Sequence, residues 1–333
     1  MICYTHKQNE KNTQNKNIKT MTRKISYNDL QKAVIGAYEE YKNLKKGEVD
    51  TRVQPYTDVK NYGISVVLTD GRVIEKGDTT VRAALGNIVS LPVHGVLLQQ
   101  YGVKELIKKA GKTSSHKLRK MELPVCPHTL RAISAVEPQN DRDGKYDIIV
   151  NNIISMLGNE PVLNDKMYEA MKAEIYSADV ENKLAEAEFT LYDDAATVTD
   201  QFAKLESLTV TTTELATLGA TIAADGVNPV TKENVFDGEL SAPLTTIAAI
   251  HGDPDRNRRE MLKSGVPEAF SFSGLVLAIL PGLGAIAVYG PEVGKHGRSK
   301  KGARAVRYIT GAIGYNVFGS ARVEVENAVE FSL

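Results

Sequence analysis

The run from Gly274 to Tyr289 is the most apolar in the chain, and Pro281-Gly282 interrupts it midway. Proline supplies no backbone donor, and a Pro-Gly pair is a strong turn signal. The run therefore divides into two short buried strands, 274–280 and 284–289. It does not make the single helix of about 20 residues that would cross a membrane. Any fold for this chain must place these two strands side by side in a core.

Other strand signals lie near the start of the chain. Ile64 to Thr69 and Arg72 to Lys76 flank Asp70-Gly71, a pair that favours a tight hairpin. Before them, Leu30, Ala33, Val34, Ala37, Tyr38, Tyr41 and Leu44 repeat at helical spacing, with Ser26 and Asp29 as the start signal and Gly47 near the stop. From about 87 to 240 the pattern is mostly helical. Thr211 and Glu214 form a capping box for a helix that stops at Asp225-Gly226. A last helix is predicted from near Ser299 past Ile309, and residues 322–326 alternate as a late edge strand does. Strands at both ends and helices between predict an α/β (α+β) sandwich, 26–86 with 240–333, and a helical subdomain inserted at 87–239. Residues 1–25 are a polar tail, expected to be disordered.

Composition narrows the function. Lys plus Arg and Asp plus Glu are 41 each, so no net charge draws the chain to nucleic acid or an anionic membrane. Two cysteines, Cys3 and Cys126, make neither a disulfide framework nor a thiolate metal site. With no apolar secretory core behind Met1, a cytoplasmic protein is expected.

Three segments carry a resemblance. Leu215 to Thr231, with Gly226-Val227-Asn228-Pro229 at its end, is similar to a segment of the serine-dependent glutaminases. So are Pro281-Gly282, Ala285 to Tyr289, Lys295-His296-Gly297, Ser299 and Gly302-Ala303-Arg304, and also Lys46 to Val49 through Tyr62-Gly63-Ile64 to Gly77-Asp78. The resemblance spans roughly residues 28–319. It implies a β-lactamase-like fold with a mainly antiparallel sheet, hydrolysis of L-glutamine to L-glutamate and ammonia, no metal or organic cofactor, and a homo-oligomer.

The family nucleophile lies in Ser-x-x-Lys, where a spacing of three lets the amine take the hydroxyl proton. Aligned without gaps from Gly77-Asp78 to Tyr101-Gly102, the serine position falls on Asn87 and the lysine position on Ser90. Pro92 then implies a helix that starts late or kinks. The resemblance maps a substrate-contacting asparagine onto Asn151, with Asn152 beside it, a substrate-binding glutamate onto Asp179, and a further asparagine onto Asn182. It maps two tyrosines onto Phe202 and Pro254, neither of which has a phenolic hydroxyl. The strand Lys-Ser-Gly maps onto Ala269-Phe270-Ser271, with Phe270 expected to fill the pocket.

Several other features read as structural. The basic cluster Lys295 to Lys301 is expected to be a solvated loop ahead of a helix, and Cys126-Pro127-His128 lacks further ligands at metal-site spacing. His94 reads as a core or surface histidine, Gly282-Leu283-Gly284 as a strand turn, and His251 with Asp253 and Asp255 as a loop. The expectation is a glutaminase-like protein with an impaired or inactive site that binds a small amino acid, an amide or a partner. The alternatives are an active amidohydrolase with a rebuilt site, and a purely structural or oligomeric protein.

Overall fold

The computed structural model describes residues 25–110, 121, 123–250, 254–294 and 297–319. The tail 1–24 and the edge strand expected at 322–326 lie outside the described residues. So do Lys295, His296, His251 and Asp253.

The two apolar runs form β8 (Leu275–Leu280) and β9 (Gly284–Tyr289), an antiparallel hairpin at the middle of a five-stranded sheet. β2 (Gly63–Leu68) pairs with β9 and with β3 (Val73–Gly77), and β7 (Glu268–Phe270) closes the far edge against β8. The order is β3-β2-β9-β8-β7, every pair antiparallel. Alternation along each strand sorts side chains onto two faces. Leu275, Leu277 and Ile279 enter one core, while Val276, Ala278 and Leu280 enter the other.

On the second of these faces lie α1 (Tyr27–Tyr41) and α11 (Lys300–Ile313), packed against each other. Ser26 caps α1 by accepting from the Asp29 amide, and Ser299 caps α11 by accepting from Gly302. The helix α1 ends at Tyr41, short of the expected Leu44. The other face is covered by α8 (Thr212–Ala223), which has the complete Thr211–Glu214 capping box. A Cβ on Gly219 would stand 2.6 Å from Leu277 Cδ1 and 2.7 Å from Ala285 Cβ, so glycine lets the helix lie directly on the sheet.

Beyond α8 lies the helical half. It comprises α2 (Ser90–Ala110, interrupted at Gly102), α3 (Pro127–Ala135), α4 (Arg142–Leu157), α5 (Asp165–Ser177), α6 (Val180–Glu186) and α7 (Ala195–Glu206). Helices α9 (Ser241–Ala249) and α10 (Pro254–Ser264) lead back to β7. Not foreseen is a three-stranded sheet, β4 (Ala83–Ala84), β6 (Leu208–Val210) and β5 (Val162–Leu163), in the order β4-β6-β5. Its strands are too short for a period-2 pattern to register. Outside these stands one more pair, β1 (Glu48–Val49) with β10 (Glu292–Val293). Among the described residues no helix is long and apolar enough to cross a membrane.

The turn after α8 ties the two halves together. Gly226 has φ +84°, and a Cβ there would come within 2.1 Å of the Phe236 carbonyl oxygen. Asn228 is wholly buried. Its Nδ2 donates to the carbonyls of Ser155 (2.8 Å) and Met156 (3.4 Å) at the end of α4, and its Oδ1 accepts from the amides of Val230 (2.9 Å) and Thr231 (3.1 Å). Removing this carboxamide deletes four hydrogen bonds at once, one of them fully buried. Asn228→Ala is expected to destabilise the protein by about 3 kcal/mol, against about 0.5 kcal/mol for Asn151→Ala on the exposed face of α4. Urea unfolding of the two variants measures the difference.

Candidate active site

A 3-10 turn, Gly86–Val89, carries the chain from β4 into α2. Gly86 has φ +49°, and a Cβ on it would lie 2.4 Å from Ser271 Oγ and 2.7 Å from Phe272 Cε1. The turn between β7 and β8 therefore rests on the backbone of this turn, at a point only glycine permits. The hydroxyls of Ser271 (2.9 Å) and Ser273 (2.7 Å) both reach the Ala84 carbonyl and fix that contact.

Asn87 sits in this turn, half-buried, and Ser90 is the first residue of α2, 6% exposed. The Ser90 amide donates to the Asn87 carbonyl. Pro92 thus falls in the first turn of α2, where its missing N–H costs nothing. Of the two readings of Pro92, the late start holds. By the family resemblance the nucleophile and base positions would hold this carboxamide and this hydroxyl, and neither is an amine. One turn on, His94 Nδ1 lies 2.6 Å from the Ser90 carbonyl, and burial holds its imidazole below the ordinary histidine range.

The positions that the resemblance maps onto substrate contacts separate. Asn151 is exposed on α4, whereas Asn152 faces α2, donating to the Pro92 carbonyl (3.0 Å) and accepting from Gln99 (3.2 Å). Asp179 and Asn182 are both exposed at the junction of α5 and α6. There Asn182 Nδ2 donates to Asp179 Oδ1 at 2.9 Å, and Asp179 has φ +52°. Pro254 opens α10. Cys126 ends the loop before α3, with Pro127 as the first helical residue. Among the described residues no group of three or more His, Cys, Asp or Glu could hold a metal ion.

Phe270 corrects the sequence reading. It belongs to the core under α1 and α11, with Arg298 Cζ 5.2 Å from its ring centre, on the face of the sheet away from α2. Alternation on β7 decides this, because Ala269 takes the α2 side. The aromatic ring against the Gly86–Val89 turn is instead Phe272, two residues later. Over it lies Arg52, with Cζ 3.8 Å from the ring centre, held by Asp50 through two hydrogen bonds of 2.8 Å. Burial opposes the charge on Asp50, but the paired guanidinium prevails and keeps its carboxyl below the usual range.

Sequence reasoning also missed Glu206. It lies one turn beyond Phe202 on α7, the helix that packs against the 3-10 turn. Phe202 is fully buried and Glu206 is 1% exposed, with one carboxyl oxygen lacking a hydrogen-bond partner. Burial pushes Glu206 up to about 8. The charge of Arg52 opposes that rise, and Asp50 adds to it. The signal was present as a lone acid at helical spacing from Phe202, leading into the apolar run Leu208 to Val210. A neutral carboxyl at pH 7 can donate a proton or a hydrogen bond where a carboxylate cannot.

Comparison with known proteins fits this architecture. The glutaminase family model matches residues 52–318. The chain belongs to the glutaminase family. A glutaminase of Parabacteroides distasonis is 30% identical over 319 residues, covering 92% of this chain and 99% of that one. Glutaminase 1 of an Escherichia coli strain is 26% identical over 88% of this chain and 99% of its own. In fold, the structure of the probable glutaminase ybaS superposes with TM-score 0.79 at 24% identity, over 89% of this chain and all of that one. A probable glutaminase from Bacillus subtilis, complexed with 6-diazo-5-oxo-L-norleucine, gives TM-score 0.74 at 18% identity, over 87% and 96%. The fold is thus the β-lactamase-like one of the glutaminases.

Glu206 sets a pH dependence for this family member. Its folded pKa lies above the unfolded value of 4.5, so the folded state holds more protons between about 4.5 and 8. The stability that Glu206 contributes is complete below that window and falls as pH rises through it, by roughly 3–5 kcal/mol in all. Glu206→Gln is expected to flatten that part of the profile, which melting temperatures at about pH 5 and pH 8.5 would record.

Proposed function

We propose that this glutaminase-family protein does not hydrolyse glutamine by the serine–lysine route and that its site binds a small amino acid or amide. One observation carries the reading. The family resemblance aligns Asn87 and Ser90 with the nucleophile and base positions, and Ser90 is buried at the start of α2. An asparagine side-chain nitrogen is a poor nucleophile because its lone pair is delocalised. Buried Phe202 offers no phenolic proton, and Phe272 covers the turn from the sheet side. Loss of a catalytic serine in hydrolases typically costs roughly 10⁴–10⁶ in rate.

A second reading is an active amidohydrolase with a rebuilt site. Glu206 favours it, as a buried acid poised near neutral pH beside Arg52, and so do the relatives named as glutaminases. A cytoplasmic homo-oligomer is the setting that the family resemblance favours under either reading.

A glutamine-dependent ammonia assay on the purified protein separates the two. No release above the buffer rate is expected, and turnover at roughly 1–10³ per second would overturn the first reading. If turnover is found, its loss in Glu206→Gln would establish the rebuilt site. The double variant Asn87→Ser with Ser90→Lys is expected to stay inactive, because Phe202 and Phe272 remain. Binding is read by thermal shift. A ligand at about 100 times its Kd stabilises by about 2.7 kcal/mol, and no shift with L-glutamine, L-glutamate or L-asparagine would defeat the binding role.

A further inference from the structure

Arg298, Ser299 and Lys300, from the end of the basic cluster expected to be a solvated loop, form one wall of a cavity. The cavity has a volume of about 280 Å³ and lies on the α10–α11 side of the sheet, away from the Gly86–Val89 turn. That is far above the ~10–15 Å³ that admits one water. Six cations line it, Lys46, Lys263, Arg298, Lys300, Arg304 and Arg307. Among the described residues, Glu260 meets Lys263 (3.1 Å) and Arg307 (3.6 Å), and Glu268 meets Arg298. Among the described residues that line it, Glu260 is the one acid against six cations.

The helix adds to this field. The N-terminus of α11 opens at the cavity through Ser299 and Lys300, and its first turn contains no acid. A helix N-terminus carries partial positive charge and favours anions, so Lys300 and Arg304 there have the wrong sign for the helix itself. Local conflict of this kind marks a binding site more often than a structural one. The response of Glu260 is consistent. Burial would raise its carboxyl, yet Lys263, Arg298 and Arg307 together hold it below the usual range. Arg298 is 12% exposed and braced from behind by buried Glu268, so one fork of the site is fixed in advance.

We infer that this cavity binds a small polyphosphate anion. A monoanion would leave most of the charge uncompensated. A pyrophosphate or longer chain carries several charges and offers enough oxygens for arginine forks and lysine ammonium groups together.

The test is calorimetric titration of the full chain with sodium pyrophosphate, and with sulfate as a dianion control. Pyrophosphate is expected to bind one per chain, at least tenfold more tightly than sulfate, and to raise the melting temperature. Lys300→Ala and Arg304→Ala should each weaken it about tenfold or more, since each removes a charge-assisted bond. Lys60→Ala, exposed elsewhere, should leave it unchanged. On the unaltered protein, pyrophosphate should also protect Lys263 from an amine-acylating reagent, read by mass spectrometry. Absence of binding, equal affinity in the Lys300 and Arg304 variants, or no protection of Lys263 would each overturn the inference.

Discussion

The structure depends on one helix lying flat on the central sheet inside the larger core. Helix α8 is buried along almost its whole length, with the central strands on one side and α4 on the other. Its contact with the sheet is set by Gly219, where the absence of a side chain brings the helix against Leu277 and Ala285. Its N-terminus is fixed by hydroxyls, since Ser65 Oγ lies 2.7 Å from Thr212 Oγ1 and 2.9 Å from Thr213 Oγ1. At its other end Thr221 donates to the Met156 carbonyl at 3.1 Å, and Asn228 completes the tie to α4. Buried polar groups that are fully paired fix one arrangement, whereas apolar contact alone tolerates sliding.

That constraint explains how a family's packing persists whatever side chains stand at the site. Gly219, Gly226 and Asn228 hold the scaffold, and their contacts are with Leu277, Phe236 and the end of α4 rather than with Asn87 or Ser90. The candidate site forms where three separate pieces meet, the 3-10 turn, α7 and the turn after β7. A fold can keep its packing while side chains at such a junction change, because function resides in the site and not in the architecture. Here the junction holds a neutral buried acid, a paired guanidinium and an aromatic ring.

Much of the local structure was legible. The strands at 274–289, the Asp70-Gly71 hairpin, the capping box at Thr211–Glu214 and the start of α11 at Ser299 each rest on a few adjacent residues, so the pattern finds them. The site was less so. The resemblance pointed to Phe270 as the pocket filler, but its place on β7 turns it to the α1 and α11 side, and Phe272, beyond the end of the strand, takes the other core. Asn151 and Asn152 are adjacent, and the rotation of α4 alone selects which one meets α2. Glu206 reads as an ordinary helix residue until α7 is packed against the 3-10 turn.

By itself the sequence determined the two central hairpins, the main helices and the family, and the resemblance aligned Asn87 and Ser90 with the serine and the lysine. Those are statements about residue identity and short-range spacing, which survive without coordinates. Tertiary structure decided which face each side chain took, that Arg52 and Glu206 share the site neighbourhood, and that Lys46, Lys263 and Arg304 converge from distant parts of the chain. The reason is physical. Burial, and with it the charge state of a carboxyl or the clustering of cations, depends on neighbours that are far away in sequence.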